Sequence, residues 1–201
     1  MNVAAITIAT GGTAVLAASV VAARGPAIPV WEQGLFRRIN RLHGWLIVPL
    51  WPAMQLGNLA VGAAAGLAVV WGAGNLAVAL AVLFATALKL VAERLIRRKI
   101  TGNLPARVRP GSSQPDPVLR GGDVPDSGPS FPSGHALLIA ALACVVAPVL
   151  PTGWELIPVV LMFLVMIGRV FVGAHNPLDV ISGAGAGLMV GGLVASLLPP
   201  T

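Results

Sequence analysis

Hydrophobic positions fall into six long runs: Val3–Ala23, Trp45–Val70, Asn75–Leu95, Phe131–Leu150, Leu156–Val172 and Leu178–Leu198. A helix needs about 20 apolar residues to cross roughly 30 Å of hydrocarbon, so each run predicts a transmembrane helix. The fold class expected is all-α: a polytopic membrane protein of six transmembrane helices, with residues 1–201 as one domain. No Lys or Arg precedes the first run. The start of a signal peptide is positive, so this run is read as a retained span. Trp45, Trp51, Trp71 and Trp154 lie near run ends, where interfacial aromatics sit. Gly183, Gly187 and Gly191 recur every four residues in the last run, the spacing of a close helix-packing stripe.

Two connections stand out. Val30–Leu42 reads as an amphipathic helix, with Trp31, Leu35, Ile39 and Leu42 on one face and Arg37, Arg38 and Arg41 elsewhere. This pattern suits a helix lying on a membrane surface, and equally a connector with snorkelling arginines. Thr101–Ser130 is the longest polar stretch, rich in Pro, Gly, Ser and Asp. Long loops of this kind are usually functional lids or mobile linkers.

Composition agrees with the pattern. Only 10% of residues are charged and 56% are hydrophobic, with a mean hydropathy of +0.86. A soluble domain carries about 25% charged residues, so soluble globular, disordered and coiled-coil classes are excluded. The single cysteine, Cys144, lies inside an apolar run and excludes an intrachain disulfide. The net charge is +6, but its carriers sit between apolar runs. Membrane headgroups or an anionic substrate are therefore the expected partners, and nucleic acid is not.

The chemistry gathers on the charged side. Pro132-Ser133-Gly134-His135 opens the fourth run, and Arg169, His175 and Asp179 bridge the fifth and sixth. A basic stretch runs from Arg97, Arg98 and Lys99 to Arg107 and Arg109-Pro110. Ionisable residues at membrane depth are costly and point to function. Ser133, Gly134 and His135 lie where a helix begins, and free N–H groups with the positive dipole end favour an anion there. Asn176-Pro177 is a second helix start. It leaves His175 at the mouth of the last span, with Asp179 one turn on. A carboxylate on one ring nitrogen fixes the tautomer and leaves the other free to attack. Guanidinium groups suit phosphate oxygens. Two histidines and one Asp make a poor zinc site, so no metal and no cofactor is expected.

These residues resemble the type 2 phosphatidic acid phosphatase (PAP2) family, whose motifs are K-x6-R-P, P-S-G-H and S-R-x5-H-x3-D. The second is intact as Pro132-Ser133-Gly134-His135. The third has full spacing as Arg169, His175 and Asp179, with Gly168 where Ser is usual. In the first, Arg109-Pro110 supplies R-P, but the residue seven before Arg109 is Gly102. An insertion around Thr101–Ala106 explains the spacing. Lys99 is then favoured for the missing lysine, with Arg98 and Arg97 as the alternatives.

The resemblance implies a metal-independent phosphatase acting on a lipid phosphate in the bilayer. It implies that His175 attacks phosphorus to form a phosphohistidine and that Asp179 orients it. His135 protonates the leaving alcohol and then activates water. Lys99, Arg109, Ser133, Gly134 and Arg169 hold the phosphate. Substrates in keeping with it are phosphatidic acid, phosphatidylglycerophosphate, a polyprenyl phosphate or diphosphate, and a polyprenyl-linked sugar phosphate such as decaprenylphosphoryl-phosphoribose. A phosphotransferase of the same superfamily and a non-catalytic lipid transporter are the alternative readings.

All thirteen Lys and Arg residues fall on one side of a six-helix arrangement. Setting aside the candidate ligands Lys99, Arg109 and Arg169 leaves ten, against none in the opposite connections around Gly72–Gly74 and Pro151–Glu155. Positive loops stay inside. The expected location is therefore the inner (plasma) membrane, with the site facing the cytoplasm. In a Cys144→Ala background, an impermeant thiol reagent applied to intact cells should label a cysteine at Thr152 and spare one at Ser113. Labelling of Ser113 alone reverses the orientation.

Overall fold

The computed structural model of the chain describes residues 2–25, 27–100, 107–121 and 124–198, the side chains of 99 and 100 excepted. It is built of helices: α1 (Val3–Ala22), α2 (Val30–Asn40), α3 (Ile47–Gln55), α4 (Leu59–Ala73), α5 (Leu76–Leu95), α6 (Pro110–Ser113), α7 (Gly134–Val146), α8 (Ile157–Phe171) and α9 (Pro177–Ser196). Among the described residues the extended backbone amounts to one isolated bridge, Val108 to Pro129.

Helix starts follow the local sequence. The Asn2, Asn58 and Asn75 side chains accept backbone N–H groups at the first turns of α1, α4 and α5. Pro occupies the first turns of α8 and α9, where its missing N–H is no loss.

The span count differs from the expectation. Among the described residues three helices are long and apolar enough to cross a membrane: Val3–Ala22, Leu76–Arg98 and Pro177–Ser196. The run Trp45–Val70 is not one straight helix. It breaks after Gln55 and bends by 71° into α4, making a fourth crossing if the pair is one span. Gly57 and the capping Asn58 lie at the break. The fourth and fifth runs give shorter apolar helices, Gly134–Val149 and Ile157–Phe171. The fourth is cut short because Ser133 is a non-helical N-cap, so Phe131 and Pro132 stay outside the helix.

α7 is the hub. Ala136 to Ala143 are all buried, and α9, α5, α8 and α4 pack around it. α1 lies along the far side of α9. The outer faces of α5 and α8 carry exposed Leu80, Leu83, Phe84, Val160 and Phe163. Apolar surface on this scale needs a nonaqueous neighbour.

The glycine stripe works as its spacing predicts. A Cβ on Gly183 would overlap the Ser133 carbonyl, one on Gly187 the Leu137 carbonyl, and one on Gly191 the Ala141 carbonyl. α9 therefore approaches the backbone of α7 at a distance that only glycine permits. Gly187→Ala is expected to cost about 1–3 kcal/mol through overpacking, read as a lower melting temperature in detergent. Gly11, with nothing within 4 Å of an added Cβ, is the control. Gly11→Ala should stabilise by up to about 1 kcal/mol through helix propensity.

Candidate active site

Three chain segments meet at one end of the bundle: the start of α7, the turn from α8 to α9, and the stretch 107–130. The α8–α9 turn depends on Gly173, whose φ of +80° is left-handed. A Cβ there would also press on Leu119 Cδ2 at 2.7 Å. Beyond it, the Ala174 and His175 amides return to the Arg169 carbonyl at 3.0 and 3.3 Å. His175 is thereby held at the mouth of α9, 3% exposed.

Asp179 is fully buried in the first turn of α9. Its Oδ2 accepts the Asn176 amide at 2.9 Å and faces His175 Nδ1 at 3.9 Å. Its Oδ1 accepts Arg107 Nε at 3.0 Å. His175 and Asp179 thus face each other beyond hydrogen-bond distance. Burial, the Arg169 and Arg109 cations and His135 hold the His175 imidazole well below its ordinary value. Each of these disfavours the protonated ring.

The start of α7 lies beside this turn. Ser133 is its N-cap. The Ser133 amide donates to the Asp179 carbonyl at 2.9 Å, which ties α7 to α9. Its Oγ is buried and has no hydrogen-bond partner among the described residues. Gly134 has the Glu93 carboxylate against it, 2.8 Å from where a Cβ would stand. His135 and Arg169 line a cavity of about 190 Å³, together with Trp51, Gln55, Asn58 and Arg120. The break between α3 and α4 shapes this wall, since a Cβ on Gly57 would lie 2.7 Å from that of His135.

Arg109 donates to the Ala174 carbonyl at 2.9 Å, steadying the His175 turn. Burial and the neighbouring Arg97 cation push its guanidinium below the ordinary value, and Asp179 opposes them. The side chain of Lys99, the residue favoured for the first-motif lysine, lies outside the described residues. Arg97 is described, and it reaches the site. It pairs with Glu93 and donates to the Pro132 carbonyl, both at 3.1 Å. Arg98 is exposed. Glu93 pairs with Lys89 at 2.7 Å and with Arg97, rather than with Arg94 beside it.

The 107–130 stretch is more ordered than its composition predicts. The Ser130 amide returns to the Arg107 carbonyl and the Arg109 amide to the Gly128 carbonyl, at 2.9 and 3.1 Å. Gln114 donates to Asn176 Oδ1 at 2.6 Å. Further on, Asn40 exchanges hydrogen bonds with Val118, and Arg120 donates to the Asn40 and Phe171 carbonyls. The described parts form a strap across the site.

Sequence reasoning missed Glu32 altogether and read Arg107 only as part of a basic stretch. Arg107 Nη2 lies 2.6 Å from Glu32 Oε1, which also accepts the Leu178 amide at 2.9 Å. α2 turns Trp31 and Leu35 outward, while Glu32, Phe36 and Asn40 point in. The available signal was their four-residue spacing, which puts Glu32, Phe36 and Asn40 on one face of α2.

Among the described residues no group of three His, Cys, Asp or Glu side chains is placed to hold a metal ion. Both Asp179 oxygens are already hydrogen-bonded.

A family model, that of the PAP2 superfamily, matches residues 71–200. Two crystal structures are similar in fold. One is the first transmembrane PAP2-type phosphatidylglycerolphosphate phosphatase from Bacillus subtilis, at 21% identity and a TM-score of 0.73, covering 92% of this chain and 94% of that one. The other is LpxE of Aquifex aeolicus, at 24% identity and a TM-score of 0.61, covering 81% and 93%. No curated protein matches the chain.

The geometry separates Arg97 from Arg98. Arg97→Ala should weaken orthovanadate binding, measured by titration calorimetry, about 10- to 100-fold, the worth of a charge-assisted hydrogen bond. Arg98→Ala should leave it unchanged. Equal mild losses would mean that neither arginine serves as an anion ligand.

Proposed function

The chain belongs to the PAP2 superfamily, and from that membership we propose that it is an integral-membrane phosphatase acting on a lipid phosphate through a phosphohistidine. The observation that carries this reading is a buried His175 facing Asp179, with Arg97, Arg109 and Arg169 around it and the start of α7. Asp179 faces Nδ1, which leaves Nε2 to attack phosphorus. Arg97, Arg109 and Arg169 hold the phosphate oxygens, with Gly134 and Ser133 Oγ, and Lys99 remains a candidate beside Arg97. His135, in the cavity wall, donates a proton to the departing alcohol and then takes one from water. Positioning and charge stabilisation are most of what phosphoryl transfer requires. The donor set calls for no metal.

A lipid substrate is supported by an apolar groove of about 340 Å³ between α4, α7 and α8, lined by Gly62, Gly66, Ile139, Leu142 and Trp154 among others. Ile139 lies one turn below His135, and Gly62 one turn beyond Asn58, so groove and polar cavity adjoin. A phosphate in the cavity places its hydrocarbon chain in the groove. The Bacillus subtilis structure is that of a phosphatidylglycerolphosphate phosphatase, which makes that phospholipid the first substrate to try, with phosphatidic acid beside it.

We further propose six crossings, with the site facing the cytoplasm of the inner membrane. α8, at 15 residues, rises only about 22 Å. The turn that follows it, 172–176, is buried in protein, where nonhelical backbone is tolerated at membrane depth.

Purified wild-type protein should release phosphate from one of these lipids, be inhibited by vanadate and be indifferent to EDTA. His175→Ala should lose at least about three orders of magnitude in kcat while keeping its melting temperature. Wild-type turnover in folded His175→Ala contradicts the mechanism. Chelator-sensitive activity restored by a divalent ion contradicts metal independence.

A further inference from the structure

We propose that Glu32 and Arg107 are positioning residues, which set the charge and orientation of Asp179 and through it those of His175. This inference rests on the phosphatase reading above and extends the machinery to α2, an element outside the matched residues 71–200.

The geometry is a chain of charged groups. Glu32 is 0% exposed and Arg107 5% exposed, although both belong to segments near the end of the bundle. Arg107 donates from Nη2 to Glu32 Oε1 at 2.6 Å and from Nε to Asp179 Oδ1 at 3.0 Å. Glu32 Oε1 also accepts the amide of Leu178, the neighbour of Asp179. Burial pushes the Glu32 carboxyl above its ordinary value; the Arg107 cation and the Leu178 amide oppose this in part, and the Asp179 charge adds to it.

Packing alone does not call for this arrangement. Apolar side chains of similar volume usually do as well as a buried ion pair or better. Moreover, Glu32 Oε2 and Arg107 Nη1 are buried without hydrogen-bond partners among the described residues. Electrostatics gives the reason for the third charge. With Arg107 alone, Asp179 is oriented but its charge is cancelled. The positive charge that develops on His175 during phosphoryl transfer then has no counter-charge. Glu32 offsets Arg107, so Asp179 keeps both its orienting donor and its net negative field. The Glu32–Arg107–Asp179 unit carries one net negative charge.

The other groups facing His175 are Arg169 from α8, Arg109 from the strap and His135 from α7. They are unchanged by substitutions at Glu32 and Arg107, so the sign of each effect is defined. Removing the Glu32 charge makes the unit neutral, lowers the His175 pKa and moves the acid limb of kcat/KM to lower pH. Removing the Arg107 charge leaves two carboxylates and moves that limb to higher pH. Removing both restores one negative charge and returns the limb toward the wild-type position. Structural damage would lower kcat in all three variants without opposite shifts.

The test uses full-length protein in detergent micelles, with dioleoylphosphatidic acid and dioleoylphosphatidylglycerophosphate as probes. It compares wild type, Glu32→Gln, Arg107→Gln and the double variant. Glu32→Gln should lose roughly 10- to 100-fold in kcat, the usual effect of removing an orienting partner, with KM unchanged and the acid limb displaced downward. Should Arg107→Gln fail to fold, the near-isosteric Glu32→Gln decides alone. Wild-type kcat and an unshifted limb in Glu32→Gln overturn the proposal and leave the phosphatase reading intact. So does parallel loss in every variant with unshifted limbs. Wild-type protein that releases phosphate from neither probe overturns the phosphatase reading for these lipids and this inference with it.

Discussion

Arg107 lies buried between two buried carboxylates, Glu32 of α2 and Asp179 of α9, and the assembly of the site end depends on that placement. Leaving one member of a buried ion pair uncompensated costs about 3–5 kcal/mol. α2, the strap and the start of α9 are therefore locked together. Secondary contacts follow the same plan. Asn40, at the other end of α2, is tied to the strap at Val118 and to the end of α8 at Phe171. Both ends of a short peripheral helix thus bear on the turn that presents His175.

The opposite constraint acts inside the bundle, where close packing rather than charge fixes the geometry. The stripe Gly183, Gly187 and Gly191 brings α9 onto the backbone of α7. The first turns of the two helices are joined by the Ser133 amide and the Asp179 carbonyl. His135 and His175 come from different elements, and their relation is set by this contact. A small shift between α7 and α9 would displace His135, the proposed proton donor, relative to His175, the proposed nucleophile. Positioning errors of about 1 Å cost roughly 100-fold in rate.

Much of this was legible in the sequence. Ser133, Gly134, His135, Arg169, His175 and Asp179, singled out by their motif spacing, lie at or near helix ends that meet at one end of the bundle. The glycine stripe was legible from its spacing in the same way. The break at Gly57 was not, because the run Trp45–Val70 is apolar on both sides of it and hydropathy carries no information on direction. Arg97 could not be separated from Arg98, since neighbouring helical positions point in different directions and only packing distinguishes them. Glu32 was hidden by distance along the chain. Its partner Arg107 is 75 residues away, and an acid on an amphipathic helix reads locally as solvated.

The central claim is that this end of the bundle prepares His175, and not His135, for attack on phosphorus. Rapid acid-free quenching of the wild-type and His135→Ala proteins during turnover of dioleoylphosphatidic acid, followed by peptide mass spectrometry, tests it most directly. A phosphoryl group is expected on the peptide containing His175 in the wild-type protein, and a longer-lived one in whatever fraction of His135→Ala becomes phosphorylated. A phosphoryl group found on His135 would contradict it, as would turnover with no phosphohistidine in either protein.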